Sequence, residues 1–256
     1  MTIFFYDRTF EGLLTAIFDA YSRKTFPDKL LPTGATTPLF TDEEHTVITQ
    51  DEHAGRVWTA LRQKMPSDLC NMLMHVWLSE APESDELLFR YIRKIIDAPR
   101  IYVLNFSDPD VLQIRKLARK VAHEALYLKQ FVRFQKAADG LFFAPVRPQH
   151  NALPLAVDHF TDRFADQQWV IYDLRRGYGY HYDLHQTREI TLSDEGEHML
   201  GNRLDSALMA KDEQLFQQLW KGYFDALTIR ERLNPRLQRQ HMPVRFWRDL
   251  TEKQGR

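Results

Sequence analysis

A single cysteine, Cys70, stands in a chain of 256 residues. One thiol cannot form an internal disulfide, complete a zinc ribbon or supply the cysteines of an iron–sulfur cradle. Its neighbours Leu69, Met72 and Leu73 make it a buried structural thiol rather than a nucleophile. No run approaches the roughly 18 uncharged apolar residues that a membrane helix needs. The start is apolar but has no basic leader and meets charge at Asp7, so no signal peptide is expected there. Nucleotide fingerprints are missing: there is no Walker A and no G-x-G-x-x-G, and Gly177-Tyr178-Gly179 alone is too short to count. No G-x-S-x-G elbow occurs. His123-Glu124 opens like a zincin, but Tyr127 stands where the second histidine would be. The absences leave a cytoplasmic globular chain, with no cofactor and no membrane association expected.

What is present points to an α+β fold, mostly helical, with a small antiparallel or mixed sheet formed late in the chain. Ile3 to Tyr6 is an apolar run fit for a buried strand, and Asp7 or Thr9 offers an N-cap. Phe10, Leu13, Leu14, Ile17, Phe18 and Tyr21 then recur at helical spacing. Residues 24–38 hold three prolines and a glycine and read as a loop, and 46–49 as a second strand. Helices are expected over 51–65, 67–79 and 84–97, with Pro66, Pro82 and Pro99 marking the breaks. A longer helix should run from Pro109 to about Asp139-Gly140, where glycine is a natural stop. The period then changes to two, giving strands at 141–146, 169–173 and 178–183 around a short helix at 153–164. Arg175-Arg176-Gly177 is short enough for a hairpin turn. Helix returns from about 193, most clearly over 212–227. With no linker-like stretch after the early loop, residues 1–256 read as one domain: helical over about 51–139, sheet-containing over about 140–192, and helical again over about 193–256.

Charge is unevenly placed. The net charge is −1, yet residues 108–147 carry eight Lys or Arg against four acids, and residues 221–256 carry nine against four. On the long helix Ile114, Leu117, Val121, Ala125, Leu128 and Val132 fall on one side. Arg115, Arg119, His123, Gln130 and Arg133 fall on another, flanked by Lys116 and Lys120. The first face is core. The second is a cationic stripe suited to phosphates, unless it is merely a solvated surface.

Three polar clusters invite chemistry. His181, Asp183 and His185 alternate, so an extended chain would put all three on one side, as a two-His-one-carboxylate metal set requires; with nothing in the sequence showing partners that would support these ligands, a water-facing edge strand without metal is the expectation. His150, Asn151, Asp158, His159, Asp162, Arg163, Asp173, Arg175 and Arg176 could converge, with Asp158/Asp162 and His159/Arg163 each four apart on a helix. Such pairs can perform acid–base work, but more often they cap helices and pin loops. Tyr178, Tyr180 and Tyr182 share a strand face beside Arg175 and Arg176. Exposed, they would form a base-stacking platform; packed on helices, the commoner outcome, they are core.

Several stretches resemble a bacterial domain-of-unknown-function family of DNA metabolism and repair proteins. They begin with Tyr6-Asp7-Arg8-Thr9-Phe10-Glu11-Gly12-Leu13-Leu14-Thr15-Ala16, then Glu80 and Leu87-Leu88-Phe89-Arg90-Tyr91-Ile92-Arg93. Arg119-Lys120-Val121-Ala122-His123-Glu124, Phe131-Val132-Arg133-Phe134-Gln135 and Asp139-Gly140 follow. The strongest run starts at His150-Asn151-Ala152-Leu153-Pro154 and passes through His159-Phe160 and Arg163-Phe164 to Gln167-Gln168-Trp169-Val170-Ile171-Tyr172-Asp173. Pro243-Val244-Arg245-Phe246-Trp247 closes the series. Members of that family are encoded beside a DNA-modification radical SAM protein, and related domains are fused to uracil-DNA glycosylase-like domains. The resemblance implies an accessory partner in DNA metabolism, since this chain lacks radical SAM cysteines and a glycosylase motif.

The leading expectation is therefore a protein that binds DNA or RNA and acts with a radical SAM partner. Its contacts would be Arg115, Arg119, Lys120, His123, Arg133, Asn151, Arg163, Arg175 and Arg176. One alternative is an enzyme, a hydrolase or nucleotide-modifying activity, centred on His150, Asp158, His159 and Asp162. Another is a non-catalytic interaction module whose basic face meets an acidic protein.

Overall fold

Ile3, Phe4, Phe5 and Tyr6 are all buried, as a strand covered on both faces demands. They form β1 (Thr2–Tyr6), the middle of a parallel three-stranded sheet between β2 (Lys29–Pro32) and β3 (Glu43–Thr46). The computed structural model describes residues 1–98, 105–192, 209–229 and 232–253, without the side chains of 224 and 225. The chain divides into two compact units, Met1–Val121 and Ala122–Arg256.

Parallel neighbours need a crossover, and α1 (Phe10–Arg23) supplies it between β1 and β2. The turn into α1 is tightly bonded. Thr9 Oγ1 accepts from Gly12 N at 2.9 Å, and Asp7 Oδ1 accepts from Thr9 N at 2.9 Å and Thr9 Oγ1 at 2.7 Å. Asp7 Oδ2 accepts from Thr49 Oγ1 at 2.8 Å. Burial pushes the Asp7 carboxyl up, but these bonds outweigh it and hold the group below the usual range. Helices α2 (Asp51–Lys64), α3 (Ser67–Trp77), α4 (Ser84–Asp97) and the start of α5 (Pro109–Phe131) surround this core with Leu61, Leu73, Leu88 and Ile92. The buried Tyr6 hydroxyl donates to Asp85, tying β1 to α4.

Two expectations fail in this unit for one reason. Residues 24–38 are not all loop, because Lys29–Pro32 pairs with β1 in the register Ile3↔Lys29 to Tyr6↔Pro32. The expected strand at 46–49 lies earlier, over Glu43–Thr46, opposite Thr2 to Phe5. Both flanking strands are short and carry little apolar pattern of their own. It is the hydrogen-bonding edges of a buried β1 that recruit them.

The second unit holds five strands in the order β4 (Gln135–Lys136), β5 (Phe142–Val146), β6 (Trp169–Asp173), β7 (Tyr178–Tyr182) and β8 (Thr187–Ile190). Only β5 and β6 are parallel, joined through a 3-10 turn at Leu153–Leu155 and α6 (Val157–Arg163), so this sheet is mixed. It is separate from the early one, and the architecture is α+β. After it come α7 (Glu213–Leu227), α8 (Pro235–His241) and 3-10 turns at Val244–Asp249 and Thr251–Lys253. Asn234 caps α8, its Oδ1 accepting from Leu237 N at 3.0 Å, with Pro235 in the first turn.

The expected long helix to 139 stops at Phe131. Beyond it Gln135 pairs with Phe143 and Lys136 with Phe142, and Gly140 at φ +92° turns this hairpin instead of ending a helix. Strand β8 had no sequence signal, since Thr187-Arg188-Glu189 is polar. The helix expected from 193 falls, up to 208, outside the described residues.

Gly12 leaves room for the Asp7 carboxylate: a Cβ there would stand 2.2 Å from Asp7 Oδ1. Gly12→Ala should lower the unfolding free energy by about 1–3 kcal/mol in urea titration. The loss should shrink in Asp7→Ala/Gly12→Ala, where the tightest clash is gone and only the contacts to Thr9 Oγ1 and Thr49 Oγ1 at 2.9 Å remain.

Candidate nucleic-acid interface

In the first unit, α5 turns Val111, Ile114 and Ala118 into the core, which leaves the opposite face to water. Arg115, Lys116, Arg119 and Lys120 are all exposed there, and none forms an ion pair among the described residues. Arg115 lies over the Phe106 ring, 4.9 Å from its centroid. On α4, by contrast, the cations are committed. Lys94 Nζ donates to Asp108 Oδ2 and Asp110 Oδ2 at 2.7 Å each, and Arg90 Nη2 to Asp110 Oδ1 at 3.2 Å.

In the second unit His123 is exposed, its ring edge-on to Tyr127. Glu124 beside it is buried and holds the polar loop: Oε1 accepts from Gln149 N at 2.7 Å, and Oε2 from Arg245. Arg133, expected on the stripe, lies past the end of α5 and turns inward. Its Nη2 donates to Glu252 Oε1 at 2.9 Å, and its Nη1 to the carbonyls of Gln130 and Val132. Trp220 Nε1 donates to the other Glu252 oxygen at 3.0 Å.

Most of the loop-and-turn cluster is structural too. Arg176 is paired with the fully buried Asp173 at 2.8 Å and also reaches the Pro148 carbonyl at 3.2 Å. Arg175 is exposed but bonds the Gln149 carbonyl at 2.8 Å. Asn151 Oδ1 accepts from Tyr178 OH. The tyrosine face is mixed. Tyr182 is core, stacked on Trp169 with centroids 5.5 Å apart, while Tyr178 and Tyr180 are half-buried and edge to face at 5.9 Å. Burial and the Glu189 carboxylate beside it push the Tyr180 hydroxyl up to about 12. No open stacking platform results.

The metal set does not form. Strand β7 ends at Tyr182, and Asp183 Oδ1 instead closes a turn, accepting from His185 N at 3.0 Å and Gln186 N at 2.9 Å. Among the described residues no three His, Cys, Asp or Glu side chains are placed to hold a metal ion.

Of the expected catalytic four, His159 lines a cavity among the described residues. Asp158 and Asp162 are exposed on another side of α6, and His150 lies in the loop. That cavity, about 840 Å³, was not legible in the sequence. Phe134, Phe142, Phe160, Phe164, Phe216 and Trp220 supply its aromatic wall. Lys129, Lys136 and Arg163 also line it and make no side-chain ion pair among the described residues, and Glu213 is its buried acid. The i, i+4 pair His159/Arg163 was the one local signal of it.

Burial pushes the Glu252 carboxyl up, but backbone bonding, Arg133 and Trp220 together hold it below the ordinary value of 4.5. A lowered carboxyl stabilises the fold above that value, and the contribution is lost as pH falls through the folded pKa. Wild-type protein should therefore lose stability from about pH 5 downward in thermal melts. Glu252→Gln should cost about 2–4 kcal/mol at pH 7 and flatten that acid limb.

Among the described residues no helix is long and apolar enough to cross a membrane. No curated protein and no solved structure matches this chain. The family model of a domain of unknown function, DUF4130, matches residues 82–252, which take in the motifs from Leu87 to Trp247 and leave out only the run at 6–16 and Glu80. With about two thirds of its length matched, from α4 to the last 3-10 turn, the chain belongs to the DUF4130 family of domains of unknown function.

Proposed function

We propose that this protein is a nucleic-acid-binding accessory factor in DNA metabolism that works with a radical SAM enzyme. The observation that carries the reading is the set of four exposed cations within six residues of α5, from Arg115 to Lys120, that form no ion pair among the described residues. A cation already paired to a carboxylate, as on α4, has little to offer a phosphate. An unpaired one releases condensed counterions when it meets the backbone, and that release drives binding. Arg133 and Arg176, by contrast, are held by carboxylates and position the fold. The resemblance of the motifs supplies the setting in DNA metabolism and the radical SAM partner. One cysteine and a scattered His/Asp set favour an accessory role over catalysis.

Fluorescence anisotropy with labelled single- and double-stranded DNA tests this. Affinity should fall by at least about tenfold between about 50 and 200 mM salt. Arg119→Ala/Lys120→Ala should weaken binding to all sequences alike and lower the logarithmic salt slope by about one for each phosphate no longer neutralised. Absence of binding to either DNA at the lowest salt would remove the proposal.

A further inference from the structure

The cavity in the second unit has two kinds of wall that are seldom combined without a ligand to match. Its volume, about 840 Å³, falls in the range of small-molecule sites. One wall is aromatic. Phe134 meets Phe164 edge to face at 5.0 Å and Phe160 at 5.9 Å, and Phe160 is backed by Trp169 at 6.4 Å. These rings hold one another, so the half-buried Phe134 and Phe164 present firm apolar surfaces. The other wall is cationic, with Arg163 and Lys129 exposed and Lys136 half-buried.

Gln130 and Gln167 also line the cavity, and their side-chain amides make no hydrogen bond among the described residues. Each offers both a donor and an acceptor, the pairing that a base edge presents in return. The buried acid Glu213 accepts from Lys136 N at 3.1 Å and Gln217 Nε2 at 2.9 Å, and it stands against Lys129, Lys136 and Arg163 in the lining, so positive charge is in excess there. Arg133 and Trp220 are fixed by Glu252, which keeps that part of the wall in place.

We propose that this cavity receives one unstacked nucleotide, its base against Phe134 and Phe164 and its phosphate met by Arg163 and Lys129. A planar aromatic group carrying negative charge satisfies both walls at once, whereas an apolar molecule leaves the cations unmatched and a bare anion leaves the rings wet. The inference rests on the nucleic-acid reading above for where the nucleotide comes from. The same chemistry would also accept a free nucleoside monophosphate, and the experiment separates the two sources.

Three ligands are titrated into the full chain: single-stranded DNA, duplex of the same length, and a mixture of the four deoxynucleoside monophosphates. Anisotropy reads the DNA, and calorimetry reads the mononucleotides. Single strands should bind about tenfold tighter than duplex, since a paired base cannot leave its stack freely. Arg163→Ala, at an exposed position, should erase most of that preference while leaving duplex binding within about twofold. Phe164→Leu, which keeps the cavity filled with apolar atoms, should do the same, and thermal melts confirm that both variants fold. Equal binding of single and double strands, unchanged by either variant, together with no mononucleotide heat, overturns the cavity proposal and leaves the helix-face reading standing. Mononucleotide binding that Arg163→Ala abolishes, with no DNA bound at all, supports the cavity for free nucleotides and removes the nucleic-acid reading instead.

Discussion

Two buried carboxylates organise the second unit. Glu124 bonds Gln149 in the polar loop and Arg245 near the end of the chain, and Glu252 bonds Arg133 and Trp220. Taking a carboxylate out of water costs several kcal/mol, and only multiple charge-assisted bonds offset it. Each of these acids has them. The last described stretch, 243–253, contributes little regular structure beyond 3-10 turns, yet it is anchored through Arg245, Asp249 and Glu252. The Arg147–Asp249 pair is the loosest of the three at 3.8 Å, and burial there pushes the Asp249 carboxyl up.

That arrangement separates charges that fold the protein from charges left to bind something. Arg133, Arg176 and Arg245 are drawn to buried acids, and on α4 Arg90 and Lys94 are drawn to Asp108 and Asp110. Arg115, Lys116, Arg119, Lys120 and Arg163 are exposed and have no such partners among the described residues. A basic count along the sequence mixes the two groups. Their functions differ because a guanidinium already sharing its donors with a carboxylate cannot also clamp a phosphate without breaking that pair.

The helices of the first unit were legible because each alternates an apolar and a polar face at the helical period, and the match at α2, α3 and α4 is within two residues at either end. Strand β1 was legible as an uninterrupted apolar run. Strands β2, β3 and β8 were not, because an edge strand takes its conformation from hydrogen bonds to a neighbour, which its own residues do not announce. The end of α5 was misplaced because Gly140 serves a helix stop and a hairpin turn equally well.

Sequence alone determined the α+β composition, the buried face of α5 and the cationic residues opposite it, since these follow from local periodicity and residue chemistry. It also put His159 and Arg163 together, one helical turn apart. Which arginines stay free was decided only by tertiary structure, because Glu252 meets Arg133 across 119 positions of chain. The aromatic cavity belongs to the same class. Its walls come from α5, α6, α7 and the sheet, and a shared space between distant segments exists only once packing has brought them together.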